Sequence, residues 1–364
     1  MLQGAEKLKN PIEQALDLGQ SIWFDGLVSK EEFRKMIEED GLRGATTNPT
    51  IFEKEIANSS KDAEWAHFIE THTPEEIYQK IAVKAVGELA DLFLPVFEKS
   101  KGRDGFVSIE VNPLLAHKTY ETIEEARHLH RLVKRPNVMV KVPATLEGIP
   151  AIETLIAEGI SINVTLIFSI ARYEAVINAY LSGLEKRLKQ GQSLSGIASV
   201  ASFFVSRVDT AVDKELDEKI KSEELKGRAA IANSKLAYER FQKIFSSPRF
   251  KALSDAGAQV QRPLWASTGT KNPRYSDVLY VESLIGPQTV NTLPPATFAA
   301  FKDHGKARAS LTQALDAERA VLKNLENAGI SLERVTGELE RVGVSLFSDS
   351  YNKIIEWIRT RKIG

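Results

Sequence analysis

The stretch Asn137-Val138-Met139-Val140-Lys141-Val142-Pro143-Ala144 decides how this chain is read. Side chains of a strand alternate between two faces, so Val138, Val140 and Val142 share one face. Lys141 falls on the other, with Met139. The run therefore looks like a buried strand that carries one amine opposite its aliphatic side.

Seven more runs of this kind occur: Ser21–Leu27, Gly44–Asn48, Phe106–Asn112, Ser161–Phe168, Val200–Arg207, Arg262–Thr268 and Gln288–Leu293. Helical patterns separate them. Ser29-Lys30-Glu31-Glu32 and Thr73-Pro74-Glu75-Glu76 read as capped helix starts, the second with proline at the first helical position. Thr122-Ile123-Glu124-Glu125 reads as a third. Eight strands, each followed by helix, point to parallel pairing and a closed (βα)8 TIM barrel. An open doubly wound sheet could alternate in the same way. One helix is expected before the first strand, over Pro11–Gln20. Two are expected in the connection at about 50–100, and a long exposed pair at about 208–258. A C-terminal helical extension is expected over about 306–364, split near Gly329 and Gly343. No linker or low-complexity tract interrupts the pattern, so the 364 residues are expected to form a single barrel domain.

The chain is 43% hydrophobic and 27% charged, enough for a large core. A net charge of −1 favours neither nucleic acid nor an acidic membrane as partner. The absence of cysteine excludes disulfides, thiolate zinc sites and a cysteine nucleophile. Residues Met1 to Lys7 show no signal-type apolar core, and no apolar run is long enough to span a bilayer, so a cytoplasmic protein is expected. There is no P-loop or dinucleotide fingerprint. His128 and His130 stand two apart on a helix and face different ways, so no metal site is expected from them. Oligomeric state leaves no trace in the sequence.

The strand faces carry the chemistry. Val107, Ile109 and Val111 oppose Ser108 and Glu110, while Ile162, Val164, Leu166 and Phe168 oppose Asn163 and Thr165. Ile22 and Phe24 oppose Trp23 and Asp25. Burying unpaired polar groups is costly, and a fold has no need of five in its centre. If the strands close around one axis, Asp25, Glu110, Lys141, Asn163 and Thr165 converge at its C-terminal end, where this fold places active sites. A free lysine amine is neutral in roughly one molecule in a thousand at pH 7. Low-dielectric enclosure raises that share, and a neutral amine can attack a ketone to form an iminium. The alternative is a buried Lys141–Glu110 ion pair with a structural role only.

The segments Gly44-Ala45-Thr46-Thr47-Asn48-Pro49-Thr50-Ile51-Phe52, Val107-Ser108-Ile109-Glu110-Val111, Val138-Met139-Val140-Lys141-Val142-Pro143-Ala144-Thr145, Ile162-Asn163-Val164-Thr165-Leu166-Ile167-Phe168-Ser169, Ser202-Phe203-Phe204-Val205-Ser206-Arg207 and Trp265-Ala266-Ser267-Thr268-Gly269-Thr270-Lys271-Asn272-Pro273 resemble, in order, those of transaldolases, the longer bacterial form above all. The resemblance implies a cofactor-free transfer of a dihydroxyacetone unit between sugar phosphates. Sedoheptulose 7-phosphate and glyceraldehyde 3-phosphate would give erythrose 4-phosphate and fructose 6-phosphate, a step of the pentose phosphate pathway. By the same resemblance Lys141 is the Schiff-base lysine and Asp25 moves the donor hydroxyl proton. Glu110 and Thr165 hold a water for proton transfer. Asn48 and Asn163 bind donor hydroxyls, Ser202 binds the terminal hydroxyl, and Arg207 and Ser267 bind phosphate.

Lys271 stands where the family more often has arginine, and is expected to add a point charge to the phosphate site. Asn112 stands where some relatives carry aspartate. Aldolases of the same fold that release free dihydroxyacetone tend to have tyrosine in place of Phe204 and glutamine in place of Glu110. Phe204 with Glu110 therefore favours transfer over cleavage. A silent sugar-phosphate-binding barrel would have lost Lys141 or Asp25, and both are present.

Overall fold

Eight parallel strands close on themselves in chain order, as the alternating runs predict. They are β1 Gln20–Asp25, β2 Gly44–Thr46, β3 Phe106–Glu110, β4 Val138–Pro143, β5 Ile162–Ile167, β6 Ser199–Phe204, β7 Arg262–Ala266 and β8 Thr289–Leu293. The structure, a computed structural model, describes residues 9–48, 68–219 and 223–362. Helices surround the barrel: α1 Pro11–Asp17, α2 Lys30–Glu39, α3 Pro74–Lys99, α4 Thr119–Val133, α5 Gly148–Ala157, α6 Ile170–Lys189, α7 Ser206–Lys219, α8 Ala229–Phe245, α9 Pro248–Asp255, α10 Leu279–Ser283, α11 Pro295–His304, α12 Leu315–Asn327 and α13 Leu332–Lys362. No helix among the described residues is long and apolar enough to cross a membrane.

Seven strands end earlier than the apolar pattern suggests, while β8 ends at Leu293 as expected. Asn48, Asn112, Ala144 and Thr268 lie just past the ladders. Register does the positioning. Glu110 pairs with Lys141 and Lys141 with Asn163, so three strands carry one polar row around the inside. Val107, Ile109, Val138, Val140, Val142, Ile162 and Val164 are buried on the outer face beneath the helices. A one-residue slip of β4 would turn Lys141 into that apolar layer. The β5–β6 ladder shifts register between Val164 and Ile167, where Leu166 has φ 61°.

The helix starts at Ser29 and Thr73 are capping boxes, as expected. Three expectations need correction. Thr122 does not open a helix; α4 begins at Thr119, and the Thr122 hydroxyl donates to Leu115 O at 2.9 Å from inside it. The 208–258 connection is not an exposed pair but three helices, and α8 is largely buried through Ala229, Ala232, Ala237, Tyr238 and Phe241. Its small residues allow close packing, a feature that a Lys- and Glu-rich composition conceals. The C-terminal segment breaks near Gly329 but runs unbroken through Gly343. Gly343 is a point of close approach: a Cβ there would stand 3.0 Å from Leu166 Cδ2. The connection at about 50–100 holds α3, and the rest of its expected helical content lies largely outside the described residues.

The N-terminal end of the barrel is closed by charges that satisfy one another. Arg262 donates to Asp104 and to the Ser21 hydroxyl, each at 2.9 Å, and the Trp23 indole donates to Asp104 at 3.3 Å. The turn into β3 is equally constrained. Gly105 has φ +80°, and a Cβ there would lie 2.4 Å from Phe97 N and 2.8 Å from Phe93 O, both backbone atoms that cannot swing aside. Gly105→Ala is expected to destabilise the protein by more than about 1 kcal/mol, read as a lower thermal midpoint with Glu110 displaced.

Candidate active site

Lys141 is 6% exposed, and its Nζ faces the Glu110 carboxylate at 3.5 Å and the Thr47 carbonyl at 3.4 Å. Both contacts are long for a charge-assisted hydrogen bond. The Glu110 side chain is itself only 5% exposed. Two ionisable groups are thus withdrawn from water yet loosely joined.

The carboxylates respond to this enclosure. Burial pushes Glu110 up to about 7, against the opposing pull of Lys141, and Asp25 adds to the rise. Asp25 is also raised from its ordinary value by burial, although Lys141 and the Thr46 hydroxyl hold it down. Thr46 donates to Asp25 at 2.8 Å and shares a 2.8 Å hydrogen bond with Thr292. Glu110 and Asp25 therefore sit in different settings: one beside the amine, the other on a hydroxyl chain across β1, β2 and β8. Such separation lets two carboxyl groups serve different proton transfers.

Asn163 is fully buried and orients its neighbours. Its amide donates to Ser108 Oγ at 2.9 Å, and its carbonyl accepts from Ser202 Oγ at 2.7 Å. The remaining amide capacity faces the interior. Thr165 is also fully buried, and its hydroxyl has no protein partner. A buried polar atom in that condition calls for a water or ligand.

At the rim, Arg207 lies in the first turn of α7, with its guanidinium carbon 5.4 Å from the Phe204 ring centroid. One of its nitrogens is buried without a hydrogen bond, and no carboxylate pairs with it among the described residues. Ser267, at φ 57°, shares a 2.9 Å hydrogen bond with the Ser206 hydroxyl and so ties the end of β7 to the start of α7. Buried Asp209 fastens the same turn, accepting from Ala230 N at 2.7 Å and from the Tyr280 hydroxyl at 2.9 Å. Phe168 and Phe204 stack obliquely beside Arg207, their centroids 5.1 Å apart. Lys271 is exposed on the loop after β7, and Asn48 is half-buried just past β2.

Sequence reasoning missed Phe347. It comes from α13, which crosses the C-terminal end of the barrel, and its ring centroid stands 5.2 Å from Lys141 Nζ. An aromatic face at that distance favours a cation. Gly343 against Leu166, a two-armed Arg172–Glu340 ion pair at 3.1 and 3.2 Å, and the Asn112–Tyr351 contact at 3.4 Å hold the helix there. The available signal was the glycine one turn before a Leu-Phe pair; a pattern read one segment at a time gives no hint of which strand end that helix will meet.

The site thus offers an enclosed amine, a carboxyl group beside it, a second carboxyl group on a hydroxyl chain, and a guanidinium at the rim that no carboxylate among the described residues pairs with. Among the described residues no group of three or more His, Asp or Glu is placed to hold a metal ion. Residues 22–358 match the family described as Transaldolase/Fructose-6-phosphate aldolase. The chain is 45% identical over 355 residues to a transaldolase of Saccharopolyspora erythraea, covering 96% of each chain. It is 47% identical to one from Thiobacillus denitrificans, over 94% of this chain and 97% of the relative. With one from Thermobifida fusca the identity is 46%, over 95% and 97%.

Acidification protonates Glu110 and removes it as a base. The acid limb of the kcat/KM profile is therefore expected to fall below a midpoint near pH 7. Glu110→Gln should lose that limb and about 10²- to 10⁴-fold in rate, measured as initial velocity across pH.

Proposed function

The chain belongs to the transaldolase/fructose-6-phosphate aldolase family and acts as a transferase, a transaldolase; from that premise we propose how its residues carry the reaction. The Lys141 proton passes to Glu110, and the freed amine attacks the ketone carbon of a ketose phosphate. Glu110, with a water held on the Thr165 hydroxyl, returns the proton as the carbinol oxygen leaves. The iminium then draws electrons from the adjacent carbon–carbon bond. Asp25 takes the proton of the donor hydroxyl as that bond breaks, and an aldose phosphate departs. The enamine left on Lys141 adds to an acceptor aldehyde, and the steps reverse.

The observation that carries this reading is the enclosed amine 3.5 Å from a carboxyl group pushed up to about 7. Asn163, Ser202 and Asn48 hold the hydroxyls of the dihydroxyacetone unit. Arg207 and Ser267 receive the phosphate, since the guanidinium nitrogen left without a partner suits a bidentate anion. Phe204 supports that guanidinium from below. Lys271, exposed beyond β7, adds long-range attraction rather than a fixed contact. Phe347 faces the amine and favours the cationic iminium. The substrates are sedoheptulose 7-phosphate and glyceraldehyde 3-phosphate, which places the reaction in the pentose phosphate pathway and the protein in the cytoplasm. Glu110 and Phe204 favour transfer over release of free dihydroxyacetone.

Turnover of fructose 6-phosphate is expected to depend on added erythrose 4-phosphate, read by a coupled assay for glyceraldehyde 3-phosphate or sedoheptulose 7-phosphate. Equal turnover without acceptor would make the protein an aldolase instead. Lys141→Arg should abolish exchange while circular dichroism and thermal midpoint stay close to those of the parent. Retained turnover in that variant would refute the lysine's role.

A further inference from the structure

Glu110 lies between two spaces. On one side is Lys141. On the other is a recess of about 190 Å³ that Lys141 does not line. The recess opens between the start of α3, the α4 helix and α13. Its rim is Glu75 and Glu76, both exposed, and its inner end is Glu110. Tyr78 and Tyr351 form one wall, their rings edge to face at 5.2 Å. Glu125 lines the opposite side, held by Gln79, which in turn meets His128 at 3.1 Å. At roughly 30 Å³ per water, the space holds several. Its lining is polar enough to keep them. Burial beside Glu110 and Tyr351 pushes the Tyr78 hydroxyl upward, so it remains a neutral hydroxyl.

The first half-reaction releases one water. An ammonium and a ketone become an iminium and water with no net gain or loss of protons. A carbon–nitrogen bond forms, the carbon–oxygen bond breaks, and Glu110 carries the proton from nitrogen to the departing oxygen. On the Schiff-base reading, that water appears beside Glu110 while a sugar phosphate occupies the mouth, across which α13 lies. We propose that the recess behind Glu110 is the passage by which this water leaves, and by which the hydrolytic water later returns. The proposal rests on the Schiff-base reading of Lys141 and adds a route that the mouth cannot supply while substrate is bound.

The test fills the recess without touching the residues that meet the sugar. Gln79→Trp places a ring in it from the half-buried side, and Ala82→Leu narrows it from the buried side of α3. The probe is fructose 6-phosphate labelled with oxygen-18 at the ketone, mixed rapidly with enzyme and quenched into borohydride. In the parent, the trapped adduct should form quickly, and recovered ketose should lose label to solvent at each cycle of adduct formation and hydrolysis. In the filled variants, adduct formation is expected to slow by about tenfold or more and label loss per cycle to fall. Noncovalent donor affinity and the carbon–carbon bond-forming step between preformed adduct and erythrose 4-phosphate, read by borohydride trapping of the seven-carbon adduct before it is hydrolysed, should stay unchanged, because neither moves water; a general loosening of the site would alter both. Unchanged adduct formation and label loss in either folded variant would overturn the passage, as would label retention by the parent over many cycles. Absence of any adduct in the active parent would instead overturn the Schiff-base reading beneath it.

Discussion

A lysine and a glutamate held 3.5 Å apart inside a closed ring of strands set the terms for the rest of the molecule. Taking two such groups from water costs several kcal/mol each, and a long contact between them repays only part of that. The cost is supportable because everything around the pair is firmly placed: the apolar outer faces of β3, β4 and β5 bury completely, and the register carries Glu110, Lys141 and Asn163 as one row. Burial pushes Glu110 up to about 7, and the long contact with Lys141 offsets only part of that rise.

The two ends of the barrel show the contrast. At the N-terminal end, Arg262, Asp104, Ser21 and Trp23 satisfy one another and close the ring. At the C-terminal end, the Thr165 hydroxyl and an Arg207 nitrogen are buried without partners. The N-terminal end also holds partnerless buried oxygens on Gln20, Asn137 and Gln261, so the contrast lies in charge: Arg262 is paired with Asp104 there, whereas Arg207 at the other end faces no carboxylate among the described residues.

Most of this was legible in the sequence because a strand's period of two is a strong local signal. Val138, Val140 and Val142 announce the outer face of β4, and Lys141 by elimination the inner one. Glu110, Asn163, Thr165 and Asp25 follow from the same reading of their own strands. What the sequence withheld depends on contacts between distant segments. Gly343 reads as a helix break until its closeness to Leu166 is seen. Phe347 reads as one more apolar residue of an amphipathic helix, and nothing local says that the helix crosses the mouth. The α8 helix looks solvated because it belongs to a Lys- and Glu-rich stretch, although Ala229, Ala230, Ala232 and Ala237 are buried. Lys271, expected at the phosphate site, is exposed on the loop after β7.

The proposed nucleophile is the point on which the chemistry turns, and it can be observed directly. Active enzyme incubated with fructose 6-phosphate, reduced with borohydride and digested should yield a single modified peptide, carrying the mass of a reduced dihydroxyacetone unit on Lys141. An intact Lys141 peptide from the same active sample, or the adduct on another lysine, would contradict the assignment.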